Sequence, residues 1–398
     1  MKLIRNGDVF TGGALTRLDI AFDDEGIQEL SPRIDLDADE VIDASGVIVL
    51  PGMIDAHVHV RDFHESHKET WETAGGASLA GGVTTVFAMP NTDPPTTTGD
   101  VIREQRRRAD GSSVDYGLFA GITPDTLRDI PTLAQEASVV GYKLYMGETT
   151  GGLIIGNPKT QREAFKWVAD TGKALAVHAQ RLGSFSEAAD LEIALEFAVQ
   201  TGAKLHLCHV RTREGVELAD EARHDGVDVT VETCPHYLVF TGADVRQKGT
   251  RLKVNPPLAS REDRDFLWDA LAEGTIDTVG SDHAPHTLAE KDAPFDKAPF
   301  GLPGLETSLP ILLDGVAHDR LSLARLVECF SATPAERFGL ADRGQIAVGH
   351  PANLTLVDLK GETRLSDAAI RSKCGWTPYD GMTFQGQIVN AIALGRRI

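Results

Sequence analysis

The sequence predicts an α/β protein, a (β/α)8 TIM-type barrel with a small β-sandwich domain formed by both chain termini. Eight short apolar runs alternate with segments of helical periodicity through the middle of the chain. Both ends instead carry strand-and-turn patterns, each too short to bury a good core alone. Metal-type side chains recur at the C-terminal ends of the middle runs, the face on which barrel active sites are built.

In chain order, the first fifty residues read as strands KLIRNGDVF, LDIAFDDEGIQEL and EVIDASGVIVL, broken by NGD, TGG, DDEG and DASG turns. GQIAVGHPANLTLVDL and FQGQIVNAIALGRRI repeat the pattern at the other end. Residues 1–50 and 341–398 are therefore expected to make one composite β domain, with a catalytic barrel of residues 51–340 inserted between its halves. The barrel strands are MIDAHVHV, VTTVFAMP, VDYGLFAG, VVGYKLYM, KALAVHA, KLHLCHV, VDVTVETC and IDTVGSD. Helical crossovers are expected near Glu69 to Ala80, Asp125 to Ser138, Ser186 to Thr201, Arg213 to His224 and Arg261 to Glu273. The alternative, an open doubly wound sheet, usually carries a Gly-rich phosphate loop after its first strand, and neither GxGxxG nor GxxxxGK stands there.

The 398 residues hold 59 Asp and Glu against 39 Lys and Arg, a formal charge of -20. That balance argues against a nucleic-acid or anionic-membrane partner, since both call for clustered cations. Arginine outnumbers lysine, as in a salt-adapted or GC-rich source or through ordinary drift. The four cysteines show no CxxC spacing, so reduced thiols are expected rather than a disulfide framework or zinc ribbon. MKLIRNGDVFTGG has no apolar core of a signal peptide, and no run of 18 apolar residues occurs. The expectation is a cytoplasmic protein acting on a small molecule.

Alternate residues of a strand share a side, so His57 and His59 of DAHVHV project together into the barrel mouth. Lys143, His178, His209 and Asp282 end other strands. A lone HxH pair is often a satisfied surface or core feature; four histidines and an aspartate at matching strand ends point to a divalent metal site. Burial disfavours the charged form of a lysine, and a neutral amine can take up carbon dioxide to give a carbamate with two oxygens and a negative charge. Such a group at Lys143 could bridge two zinc ions. A Schiff-base lysine and a lysine reaching out to solvent are the alternatives.

The motifs PGMIDAHVHVR, FAMPNT, GYKLYMGET, VHAQ, LHLCHVRTREG, VETCPHYL, KVNPPL, SDHAPHT, FGLPGLETSLPILL and SKCGWTPYDGMTFQG occur in this order. Together they resemble the dihydroorotases, of the cyclic amidohydrolase group in the amidohydrolase superfamily, over essentially the whole chain. The resemblance implies zinc-dependent, reversible cyclisation of N-carbamoyl-L-aspartate to (S)-dihydroorotate and water, the third step of pyrimidine synthesis. It implies two Zn2+ per subunit, one held by His57 and His59, the other by His178 and His209, bridged by N6-carboxylated Lys143. Asp282 would ligate the first zinc and act as general acid and base toward a metal-bridging hydroxide. Arg61, Asn91 and His286 match positions that grip the substrate carboxylate, and Asn255 matches a substrate-contacting asparagine. Thr149 and Thr150 resemble a loop that closes over the substrate. The resemblance leaves a homodimer and an association with aspartate carbamoyltransferase open.

Departures occur as well. Asp62-Phe63-His64 replaces the usual Glu-Pro-Gly or Asp-Pro-Gly, and His64 and His67 are either stray ligands or solvated loop residues. Cys208 and Glu232 resemble positions that hold a further zinc in some relatives, although Cys208 beside His209 should face away from the site on an ideal strand. Hydantoinases and allantoinases share the metal cluster but act on rings without a carboxylate, which makes Arg61 the discriminating residue. A further alternative is a silent chain serving as a structural partner of aspartate carbamoyltransferase; such chains typically lose ligands, and here every ligand position is filled.

Overall fold

The computed structural model describes residues 1–147, 149, 152–184 and 186–393. Thr150 lies outside the described residues, as do the last residues of the expected final strand. Among the described residues, fifteen strands form two sheets.

The terminal sheet contains β1 (Lys2–Thr11), β2 (Ala14–Asp23), β3 (Gly26–Ser31), β4 (Glu40–Asp43) and β5 (Ile48–Pro51) from the N-terminal side. The barrel strands are β6 (Met53–Val58), β7 (Val83–Ala88), β8 (Asp115–Gly121), β9 (Val139–Tyr145), β10 (Ala174–His178), β11 (Leu205–Leu207), β12 (Val229–Thr233) and β13 (Thr278–Val279). The C-terminal side then supplies β14 (Asn353–Arg364) and β15 (Thr383–Ala393) to the terminal sheet.

The terminal sheet runs β15-β14-β5-β1-β2-β3, with β4 also on β1. Thr11 pairs with Ala14 across Gly12-Gly13, whose φ of 60° and 83° suit the two-residue hairpin turn that the TGG sequence announces. β14 pairs antiparallel with β5, so the returning chain joins the N-terminal strands directly. Ile4, Val9, Ile20, Phe22, Val49, Leu354 and Leu356 bring both termini into one apolar cluster.

The second sheet is parallel, ordered β6 to β13 in sequence, with every residue of β6 to β10 buried, as expected of strands covered on both faces. A bridge between Val58 and His283 and a 2.7 Å bond from His59 N to the His283 carbonyl join its two edges. Ile54, Phe87, Phe119, Ala176 and Phe338 fill the interior, with Phe338 edge-on to Phe87 and Phe119 at 5.3 Å.

The crossover helices follow their caps. Trp71–Ala80 starts from Thr70, Glu187–Thr201 from Ser186, Arg213–His224 from Thr212 and Arg261–Glu273 from Ser260. The segment expected to be helical from Asp125 to Ser138 forms only a turn at Leu127–Asp129 and a short helix at Ile130–Leu133. Pro131 has no N–H and cannot continue a helix begun upstream, so the periodicity misleads there. Among the described residues, no helix is long and apolar enough to cross a membrane.

Candidate active site

The C-terminal ends of the barrel strands surround a cavity of about 220 Å³. His57, His59, Arg61, Asn91, Lys143, Thr149, His178, His209, Asn255, Asp282 and His286 all line it, together with Tyr145, Ala284, Pro299, Phe300 and Gly301. Every expected site residue among the described residues is therefore at one mouth; Thr150 lies outside the described residues. His64 and His67 stay out on the exposed loop, beside Asp93 and Glu290.

His57 and His59 turn their Nε2 atoms toward Asp282, with Oδ1 at 3.3 and 2.9 Å respectively. Their outer nitrogens are held from behind. His57 Nδ1 donates to Glu232 Oε1 at 2.7 Å, and His59 Nδ1 donates to Asn91 Oδ1 at 2.6 Å. With both Nδ1 atoms engaged from behind, both Nε2 atoms point into the cluster, the arrangement by which outer partners prepare histidine ligands. Asn91 also donates to Thr149 Oγ1 at 3.3 Å, so it couples a cluster histidine to the loop as well as lining the cavity. On the other side, His178 Nδ1 lies 3.0 Å from His209 Nε2.

Burial pushes His59 down to about 4 and His178 to about 3, and it holds His209 well below its ordinary value. These imidazoles are neutral near pH 7 and present lone pairs. Burial also opposes a charge on His57, yet the Glu232 and Asp282 carboxylates outweigh it and lift His57 to about 10. For Asp282 the burial penalty is outweighed by His57 and by the contact with His59, so its carboxyl stays ionised well below the usual range.

The residues fit a divalent metal. Ligand atoms of His57, His59 and Asp282 all lie within 4.8 Å of one another, close enough to share one cation. Imidazole and carboxylate are donors that zinc accepts. Purified protein is expected to carry at least one divalent metal ion per chain, bound through this set; metal analysis giving fewer than one would count against the site.

Lys143 is wholly buried, its Nζ 2.9 Å from Cys208 Sγ. That contact overturns the expectation that Cys208 faces away. β11 ends at Leu207, and His209 takes a left-handed backbone with φ of 43°, so strand alternation no longer governs these two residues. His57, Cys208 and Glu232 form a second group whose ligand atoms lie within 4.8 Å. Asp282, φ 46°, likewise lies beyond the two-residue β13, shorter than IDTVGSD suggests. Gly280 permits this crowding, because a Cβ there would overlap Glu232 Oε2 and come within 2.9 Å of His57 Cβ.

Sequence reasoning missed Tyr145 and His206. Tyr145 lies two residues after Lys143 on β9, so alternation alone would have placed it beside the lysine, whose Nζ is 5.1 Å from its ring centre. His206 Nε2 lies 3.3 Å from Glu232 Oε2 and extends the chain of buried groups behind His57.

Arg61 is buried at the cavity wall. Its Nη1 is 3.5 Å from the Asn91 carbonyl and 4.0 Å from Glu65 Oε2, and its Nε has no hydrogen-bond partner among the described residues. His286 Nε2 donates to the Phe300 carbonyl at 3.0 Å, while its Nδ1 is buried without a partner among them.

A closed parallel barrel with four imidazoles, a lysine and a carboxylate gathered at one mouth is the architecture of a barrel hydrolase suited to divalent cations. The chain belongs to the amidohydrolase family, whose model matches residues 48–398. It is 37% identical to a dihydroorotase of Halobacterium salinarum over 403 residues, covering 96% of this chain and 92% of that protein. An allantoinase of Rubrobacter xylanophilus is 36% identical over 431 residues, covering 100% and 93%. Among solved structures, the L-hydantoinase (dihydropyrimidinase) of Arthrobacter aurescens superposes with a TM-score of 0.93 at 32% identity, covering 100% of this chain and 97% of that one.

Proposed function

We propose that the protein is a dihydroorotase, which closes N-carbamoyl-L-aspartate to L-dihydroorotate with release of water and catalyses the reverse hydrolysis. Arg61 carries this reading. Among the described residues, this guanidinium buried in a cavity wall has no hydrogen-bond partner for its Nε and no carboxylate oxygen closer than 4.0 Å, so it lacks a close counter-ion there. Dihydroorotate brings a carboxylate to the ring edge; hydantoin and allantoin bring none. The bidentate fit of guanidinium to carboxylate would complete the site.

His57, His59, Asp282, His178, His209 and carboxylated Lys143 would hold two zinc ions. When bound, these ions supply a Lewis acid and lower the pKa of water, making a nucleophile available near neutral pH. Glu232 and Asn91 fix the tautomers of His57 and His59. Asp282, ionised at neutral pH, takes the proton of the attacking water and delivers it to the leaving ring nitrogen. Asn255 and His286 line the wall beside Arg61 and orient the ring. In synthesis the same groups act in reverse. Residues 51–340 would be the catalytic unit and 1–50 with 341–398 its β companion, in a cytoplasmic enzyme of pyrimidine synthesis.

Orotate and uracil test the reading, since they share a planar ring and differ in the carboxylate. Orotate is expected to bind the metal-loaded enzyme at least about tenfold more tightly, in keeping with a charge-assisted hydrogen bond. Equal affinities by calorimetry would remove the role given to Arg61.

A further inference from the structure

The loop at 292–301 is neither helix nor strand, yet it supplies Pro299, Phe300 and Gly301 to the cavity wall. Its carbonyls at this wall, buried or part-buried, need donors. Three side chains supply them. Lys253 Nζ donates to the Phe295 and Ala298 carbonyls, both at 2.6 Å. Lys291 Nζ donates to those of Pro299 at 3.0 Å and Gly301 at 2.8 Å, and His286 serves Phe300. The third bond of Lys291, at 3.2 Å, goes to the carbonyl of Lys253 itself, two residues before Asn255.

Lys291 is wholly buried and does not line the cavity. Burial and the charge of Lys253 push it down to about 7, whereas three carbonyls match the three N–H donors of an ammonium group. Its Nζ also lies 5.8 Å from the ring of Trp376, whose Nε1 donates to the His286 carbonyl at 2.8 Å. Separate stretches of chain bearing Asn255, His286 and Phe300 thus converge on one ammonium.

We infer that Lys291, assisted by Lys253, is a positioning residue for substrate: it touches no substrate but sets the wall formed by Asn255, His286, Phe300 and Gly301. None of its hydrogen bonds reaches the metal-type cluster, so substrate capture should suffer more than the chemical step. The inference rests on the cavity being the substrate site proposed above, and not on which ring it accepts.

The test is Lys291→Met, which keeps the length of the side chain and donates nothing. It is assayed on whichever of dihydroorotate, hydantoin or allantoin the parent enzyme hydrolyses fastest, with metal content and amide exchange of residues 295–301 measured alongside. KM should rise about tenfold or more while kcat stays within about threefold, a split that marks lost ground-state positioning. Metal content should match the parent, and exchange in the loop should quicken. Lys253→Met, which removes two bonds from the other end of the loop, should shift KM in the same direction and stands in if Lys291→Met does not fold. An unchanged KM, or a fall in kcat alone, overturns the inference. If the parent hydrolyses none of the three rings, the proposed function fails, whereas unchanged exchange at 295–301 in the variant would overturn the role of Lys291.

Discussion

Replacing Lys143 with alanine is expected to lower kcat by about a thousandfold or more, with partial recovery in millimolar acetate or propionate. The size of the effect follows from the charge of the site. Lys143 is wholly buried on β9 and lines the same cavity as His57, His178 and His209. An ammonium there would repel divalent cations, whereas a carbamate reverses the sign of the charge and adds two oxygen donors. The 2.9 Å contact with Cys208 shows that Nζ reaches the interior of the barrel rather than solvent. A small carboxylic acid can replace the missing carbamate in the space left by the side chain. Zinc content should fall with activity and return with the added acid. A fully active Lys143→Ala enzyme would remove the bridging role.

Arg61→Met should raise KM for dihydroorotate by about ten- to a hundredfold, corresponding to a lost charged hydrogen bond of about 1.5–3 kcal/mol. Hydantoin hydrolysis, if detectable in the parent, should change little or improve, because the variant no longer buries a guanidinium without a close counter-ion. Steady-state kinetics on both substrates decide the matter. Equal losses on the two would mean that Arg61 supports the wall and does not recognise the carboxylate.

Much of this was legible in the sequence because barrel chemistry sits at strand ends, where the period-two pattern fixes direction. DAHVHV alone places His57 and His59 on one side, and the structure turns both toward Asp282. The turns TGG and DDEG, with alternating strands around them, announced the terminal sheet. What escaped were the places where regular geometry stops. The left-handed residues His209 and Asp282 lie beyond the early ends of β11 and β13, and the contact with Lys143 shows that Cys208 turns inward. Pro131 interrupts a periodicity that the hydrophobic pattern could not discount. The loop at 295–301 carries no pattern at all, because lysine–carbonyl bonds hold it rather than apolar repetition.

The charge of -20 also takes on a definite meaning. The field of so acidic a chain would oppose the approach of the anionic substrate proposed above, whose capture would then depend on a local positive patch. Arg61 faces the cavity, and burial, followed by the nearby charges of Arg61, Lys68 and Lys291, depresses the protonation of His286. With metals bound, that mouth becomes the electropositive feature at which a carboxylate would concentrate.

The central claim is that this amidohydrolase selects a ring bearing a carboxylate. Zinc-loaded enzyme should be assayed in parallel on L-dihydroorotate, hydantoin and allantoin at equal concentrations. The expected kcat/KM for dihydroorotate is at least about a hundredfold above that for either uncharged ring. Faster hydrolysis of hydantoin or allantoin, with dihydroorotate untouched, would contradict it.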